Sequence, residues 1–430
     1  MGEKPLDSGR DIEEPVGQVL RIPTTVPSDK EEIAVQRAIS WVAPVFRLGA
    51  WLRLGGVELR NAHHLPVGTP ALFLCNHVGM LDPAIAVASL GRPVHFMATQ
   101  SLWMHPFYGR VMNLFGIVPK KKFSADFNAI RMLRKWADIG ATVGLYPEGE
   151  RTWDGRPLPL VDGIGGLVRM LGIPVVTARV INGYRVWPRW AATPRRGLQV
   201  LELDPPMEFE RRAKDAVIVD HLRARLSVDA ETGESFPVRG TNLAGGLRNL
   251  LFLCPACGQH ECLREEGDTL RCSLCAASWV LGTDLWLRAA KEEQSLTIAQ
   301  AADRERSWLA ERDFVAEPER FARDGVIVES EPCRVLDIGG DRSTEVARGR
   351  LRLYADRLEV PETGWCLPLD KVNAITVDRT RSLQIRSADS LFAPDIKVGS
   401  VLKWDWIGNH WRRKLVVRAV RPGAEAAREV

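Results

Sequence analysis

The stretch ALFLCNHVGMLDP, residues 71–83, runs from five consecutive apolar residues into a polar turn that closes on Asp82-Pro83. A short, unbroken apolar run reads as a strand buried on both faces. Asp followed by Pro is a helix start, with Asp as cap and Pro at the first helical position. The stretch is therefore a strand, a turn and a helix. Outward from it, VHFMA (94–98), TVGLY (142–146), PVVTARV (174–180) and LQVLEL (198–203) read as further buried strands. Between them, FNAIRMLRKWADIG and GIGGLVRMLG read as helices. This alternation over residues 57–240 predicts an α/β domain with a mainly parallel sheet flanked by helices.

The turn carries chemistry. Capping accounts for Asp82 but leaves His77 unexplained. With four residues folded between them, the Asp82 carboxylate can reach one imidazole nitrogen, fix the tautomer and leave the other nitrogen to take a proton from a hydroxyl. No Ser or Cys nucleophile accompanies the pair, which suits direct attack of a substrate oxygen on an activated acyl group. Cys75, ending an apolar strand, reads as a core thiol. A second polar turn, Tyr146-Pro147-Glu148-Gly149-Glu150-Arg151-Thr152, also follows a strand. Ligands gather at the carboxyl ends of strands in such sheets, so both turns can share one site. Gly149 permits close backbone approach, and Arg151 offers a fork for phosphate; taken alone, the segment reads first as a surface turn with a solvated Arg.

These residues resemble a known family, the glycerolipid acyltransferases of the 1-acylglycerol-3-phosphate type. NHVGMLDP resembles their His-x4-Asp block, YPEGERT their Phe-Pro-Glu-Gly-Thr-Arg block and GIPVV (172–176) their Val-Pro-Val block. FGIVPKKK (115–122) sits where the family has a Gly-Ile-centred block ending in a basic residue. The resemblance covers roughly residues 40–215 and implies His77 as general base with Asp82 as its partner. It further implies Glu148, Gly149 and Arg151 at the acceptor site, with Lys120, Lys121 or Lys122 on the acceptor phosphate. Two positions depart from the family: Glu150 replaces a Thr or Ser, and Thr177 stands where a second proline is common. The first places an extra negative charge beside Arg151, which weighs against a strongly anionic acceptor.

The 58 basic and 54 acidic residues give a net charge of +4, too balanced to imply a nucleic-acid partner. Residues 1–33 read as a mobile tail without an apolar export region, and Leu6 occupies the place where a myristoylation signal needs Ser or Thr. Residues 34–56 read as a helix bearing Trp41, Val42, Val45, Phe46, Trp51 and Leu52, with Arg37, Arg47 and Arg53 as its charges and an interruption at Pro44. That composition suits a helix docked in a membrane headgroup layer, or one packed on the following domain. Arg47 and Arg53 break the only run approaching the ~20 apolar residues of a spanning helix. A cytoplasmic protein, peripheral on the cytoplasmic membrane face, is expected.

Cys254, Cys257, Cys272 and Cys275 form a C-x2-C-x14-C-x2-C pattern within residues 245–285, the spacing of a structural zinc ribbon. Cys262 and His260, inside the loop, are alternative ligands; disulfides are disfavoured without an export signal. A helical linker is expected over 286–330. Residues 331–422 read as a small β-rich domain with a closing helix, weakly resembling the pleckstrin-homology-like group that includes GRAM domains; Arg412, Arg413 and Lys414 read first as a solvated helix end, with contact to anionic headgroups as the alternative.

The function expected is transfer of a fatty acyl group from acyl-CoA or an acyl carrier protein to the hydroxyl of a lysophospholipid at a membrane surface. The alternatives are acyl transfer to a non-glycerol acceptor, and a non-enzymatic lipid- or protein-binding adaptor that keeps the fold.

Overall fold

A computed structural model describes residues 27–104, 106–120, 126–311, 325–340, 343–378, 382–388 and 390–420. The first element is helix α1 (Asp29–Leu54), started by a Ser28–Glu31 capping box and ended by left-handed Gly55. It runs unbroken through Pro44, where an interruption was expected. Pro44 lies on the exposed side, so the helical bond it removes leaves a carbonyl facing solvent rather than core. After α1 come β1 (Val57–Arg60), β2 (Ala71–Cys75), α2 (Asp82–Leu90), β3 (His95–Thr99), α3 (Pro106–Leu114), β4 (Val118–Lys120), α4 (Phe127–Asp138) and β5 (Thr142–Leu145). Then follow α5 (Ile164–Leu171), β6 (Val175–Ile181), α6 (Gly183–Val186), β7 (Arg196–Gly197), β8 (Gln199–Leu203), α7 (Asp215–Leu226) and β9 (Val238–Arg239).

Seven strands form one sheet in the order β1-β8-β6-β2-β5-β3-β4. Only the β6–β8 pairing is antiparallel. In β2 the period-two alternation is explicit: Leu72 and Leu74 join a cluster with Leu133, Val168 and Ile218 of α4, α5 and α7, while Phe73 and Cys75 face Phe96, Trp153 and Tyr184. All five β2 residues are buried, each large one contributing roughly 1.5–3 kcal/mol.

α1 is apolar on two faces. Val35, Ile39, Ala43, Ala50 and Leu54 are buried, and the helix packs on α2. Trp41, Val45, Leu48 and Leu52, spaced four, three and four residues apart, form a second stripe that is exposed, Trp41 to 82% and Val45 to 71%. Its N-terminal turn is held by His95, whose Nε2 lies 2.6 Å from Glu32 and whose ring stacks on Trp136 at 3.6 Å.

The cysteine region is a five-stranded antiparallel sheet: β10 (Leu263–Glu266), β11 (Thr269–Cys272), β12 (Ser278–Leu281), β13 (Trp286–Ala289) and β14 (Leu296–Thr297). The expected helical linker over 286–330 is corrected here. β13 and β14 extend the sheet because Leu287 and Leu296 pair across it and are buried, and helix begins only at α8 (Ile298–Ala310). Residues 312–324 lie outside the described ones.

The remainder is β-rich: β15 (Val328–Asp337), β16 (Thr344–Leu353), β17 (Arg357–Val360), β18 (Trp365–Pro368), β19 (Val372–Asp378), β20 (Ser382–Ser387) and β21 (Leu391–Pro394). They form one antiparallel sheet in the order β18-β17-β16-β15-β21-β20-β19, against which α9 (Leu402–Val420) packs at β19. Trp404 of α9 is buried in that core, and Trp406 is partly buried. The side chains of Trp411, Arg413 and Lys414 lie outside the described set.

Candidate active site

β2 and β5 are parallel neighbours, Leu74 opposite Leu145, so their carboxyl ends bring His77 and the Tyr146–Thr152 turn together. Asn76 extends β2 by one side-chain pairing, its Oδ1 accepting from Val180 N at 2.7 Å. The turn then doubles back. Asp82 does not cap α2; Leu81 flanks the helix and Asp82 is its first residue. Its carboxylate points into the turn, where Oδ2 accepts from the backbone N–H of Val78 and Gly79, each at 2.8 Å, and lies 2.9 Å from His77 Nδ1. Asp82 is buried, while the His77 side chain keeps about a fifth of its surface exposed. A Cβ at Gly79 would stand 2.8 Å from the Asp82 carboxylate, so this close approach needs glycine.

A carboxylate can only accept, so the geometry puts the ring proton on Nδ1 and leaves Nε2 as a free base. Burial lowers the His77 pKa; Asp82 opposes this, and the positive charges of Arg151 and Arg189 add to it. The imidazole stacks on Tyr146 at 4.2 Å, which fixes its plane.

The second turn is locked to the first. Glu148 Oε2 accepts from His77 N at 3.3 Å, and Thr152 N donates to His77 O at 3.1 Å. Burial pushes the Glu148 carboxyl up to about 8, so it is neutral at pH 7. Gly149 is left-handed (φ 72°), and a Cβ there would meet Val161 at 2.6 Å. Arg151 has its pKa lowered to about 10 by burial and by Arg189. Glu150 accepts from Thr376 at 2.9 Å and from Arg189 at 3.3 Å, and its charge also acts on Arg151, opposing the lowering by burial. The expected negative charge beside Arg151 is therefore present, and the Arg189 guanidinium pairs with it.

A cavity of about 450 Å³ opens beside these turns, lined among others by Met80, Arg151, Arg189, Trp190, Arg248 and Glu265. Lys120 ends β4, exposed, at the same edge of the sheet; Lys121 and Lys122 lie outside the described residues. GIPVV enters β6 at its amino end, where Pro174 O accepts from Leu72 N at 2.8 Å, so this block builds the sheet and not the site. Cys75 is fully buried, and burial pushes its thiol well up, in keeping with a core residue.

Residues 56–181 match the acyltransferase family model. This segment is an acyltransferase-family domain, similar to the glycerolipid acyltransferases. A chloroplastic 1-acyl-sn-glycerol-3-phosphate acyltransferase of Brassica napus is 27% identical over 134 residues, 30% of this chain and 39% of the relative. The 1-acyl-sn-glycerol-3-phosphate acyltransferase of Bacillus subtilis is 27% identical over 125 residues, 29% of this chain and 62% of that protein. The chain thus spans less than two thirds of the length of these relatives. The solved 1-acyl-sn-glycerophosphate acyltransferase PlsC of Thermotoga maritima aligns at 17% identity and a TM-score of 0.37, covering 46% of this chain and 75% of that one.

Sequence reasoning missed Arg189. It sits in the acyltransferase domain's Trp187-Pro188-Arg189-Trp190 segment, which no strand or helix pattern singles out. Buried, it lies over the Trp153 ring at 4.2 Å and donates to Arg151 O at 2.9 Å and Val377 O at 2.7 Å. An arginine between tryptophans was the available signal.

Five thiols converge in the cysteine region. Cys254, Cys257, Cys262 and Cys272 have their sulfurs within 4.8 Å of one another, and Cys275 lies 3.7 Å from Cys254. Cys257 to Cys272 is 3.9 Å. A tetrahedron with zinc–sulfur arms of about 2.3 Å has edges of roughly 3.8 Å, so both cross-pair distances suit zinc. Backbone N–H groups of Ala256 and Leu274 donate to Cys254 and Cys272 at 3.4 Å, as in tight metal knuckles. Cys262, 3.5 Å from Cys272, is closer than its secondary rank in the sequence suggested. His260 packs on Trp308 and Phe252.

Proposed function

We propose that this protein transfers a fatty acyl group from an acyl thioester to the hydroxyl of a lysophospholipid of the 1-acylglycerol-3-phosphate type. The observation that carries the reading is the His77–Asp82 pair: three donors converge on one buried carboxylate oxygen, and the imidazole is left with a basic Nε2. Nε2 takes the proton of the acceptor hydroxyl as its oxygen attacks the thioester carbonyl. The tetrahedral intermediate collapses, the carbon–sulfur bond breaks, and the imidazolium returns the proton to the leaving thiolate. A lowered His77 pKa keeps the base form populated at neutral pH. Arg151, lining the cavity, holds the acceptor phosphate. Arg189 pairs with Glu150 and offsets its charge, which supports an anionic acceptor at this site.

The acceptor is a lipid, and the second apolar stripe of α1 supports docking on a membrane surface, with Arg37, Arg47 and Arg53 exposed toward anionic headgroups on the cytoplasmic side. No helix among the described residues is long and apolar enough to cross a membrane. Zinc held by Cys254, Cys257, Cys272 and Cys275 plays a structural part, clamping the ribbon beside the cavity.

The test is acyl transfer from labelled acyl-CoA and acyl carrier protein to a panel of lysophospholipids, comparing the protein with His77→Ala. Product that depends on His77 supports the reading and names donor and acceptor. Equal product from His77→Ala sinks the dyad, and no product with any pair from folded protein sinks the enzyme in favour of an adaptor.

A further inference from the structure

The cavity beside the two turns is not built by the acyltransferase domain alone. One wall is Arg248, contributed by the segment leading into the ribbon and lying outside the family-matched residues 56–181. Its position is fixed by its backbone. Glu265 accepts from Gly246 N at 3.0 Å and Arg248 N at 2.6 Å, so the one lining carboxylate is engaged by main chain. Asn249 donates to Trp190 O at 3.2 Å, and Ser400 donates to Asn249 O at 2.9 Å. Gly246 presses so closely on Trp190 that a Cβ would stand 2.2 Å from its carbonyl oxygen. Leu247, Leu250 and Leu251 around it are buried. Arg248 is the charged residue of an otherwise anchored, apolar turn.

The cavity's charge is unbalanced. Three arginines and one glutamate are among its lining residues. Arg189 is matched by Glu150, but the guanidinium groups of Arg151 and Arg248 form no ion pair among the described residues. Two cationic forks lining one space of about 450 Å³, within the usual size of a ligand pocket, call for an anion with several acceptor oxygens.

We propose that Arg248 is a second substrate-binding residue, through which the ribbon segment selects a phosphate-bearing substrate in the cavity it shares with Arg151. This rests on the acyl-transfer reading. The phosphate comes from the acceptor headgroup or from the carrier of the thioester donor. Arg248 touches no reacting atom; it sets affinity and leaves the chemical step to His77.

The test uses full-length, zinc-loaded protein with Arg248→Gln and Arg248→Lys. Acceptor and donor are each varied at saturating levels of the other, and calorimetry follows binding of a short-chain 1-acylglycerol-3-phosphate and of free coenzyme A. Loss of a charge-assisted contact raises one KM and the matching Kd by about tenfold or more while kcat stays within about threefold, and Lys restores part of the loss. The substrate whose constants move identifies the phosphate. Turnover with both KM values unchanged in Arg248→Gln overturns this inference alone. A wild-type protein without turnover whose ligand binding still depends on Arg248 overturns the acyl-transfer reading alone, and one showing neither turnover nor binding overturns both.

Discussion

Thr376 donates a hydrogen bond to Glu150 at 2.9 Å, tying the seven-stranded C-terminal sheet to the motif turn of the acyltransferase domain. Arg189 reinforces the tie from Glu150 to Val377. The C-terminal region therefore braces the site. Thr376→Val removes one donor and is expected to cost about 1 kcal/mol in denaturant unfolding. Glu150→Thr, which installs the family's usual residue, costs more, because it also takes from Arg189 its carboxylate. An unfolding midpoint unchanged in both variants would contradict the brace.

His77→Ala removes the base and should slow acyl transfer by about 10²- to 10⁴-fold with the fold intact. Asp82→Asn loses the charge facing the imidazolium and should fall in the same range. Single-turnover rates with circular dichroism as a folding control check both, and an Asp82→Asn protein as fast as wild type would break the pairing.

Burial lowers the His77 pKa, so the acid limb of kcat/KM is expected below the ordinary imidazole value of about 6.5. The limb should disappear in His77→Ala residual activity. Glu148 behaves oppositely. Its carboxyl, raised to about 8, holds a proton in the folded protein that the unfolded chain has already released, so stability falls as pH rises from about 4.5 to 8. Glu148→Gln cannot ionise, and its Tm should gain on wild type across that window. A Tm difference flat with pH would refute the buried neutral carboxyl.

The proposed zinc site predicts that a chelator releases one zinc per chain and loosens the cysteine region. The ribbon's Leu263, Leu270, Trp279 and Leu281 share a core continuous with the acyltransferase domain, so partial rather than global unfolding is expected. Cys254→Ser and Cys272→Ser should lose the metal. Cys262→Ser should retain it and Cys275→Ser should not; the reverse result, read by metal analysis, would give Cys262 the fourth place.

Trp41→Glu and Val45→Glu place charge on the exposed stripe of α1, which touches no core. Both should abolish sedimentation with anionic vesicles without lowering Tm. Loss of Tm instead would mean the stripe is covered by protein.

Much of the domain was legible because its signals are local. ALFLC is a short apolar run bounded by a polar turn, which is a strand signal held within five residues, and Asp82 lies five residues after His77 in that turn. The Cys-x2-Cys knuckles are equally local. Illegible were the contacts between segments far apart in sequence: Arg189 to Val377, Thr376 to Glu150, Arg248 to the cavity of Arg151. Glu150 was read only through its neighbour Arg151, since its hydrogen-bond partners in space lie 39 and 226 positions away. The linker over 286–297 was misread because two short strands earn their place only by pairing with a sheet already formed.

The sequence by itself determined the α/β rhythm, the His77–Asp82 turn, the Glu148–Arg151 turn and the paired cysteines, because each depends on residues within one turn or one strand. Tertiary structure alone decided which charges remain unpaired, which apolar face of α1 stays bare and which walls close the cavity. Burial and pairing are properties of what packs against a residue, and packing joins residues that no local pattern relates.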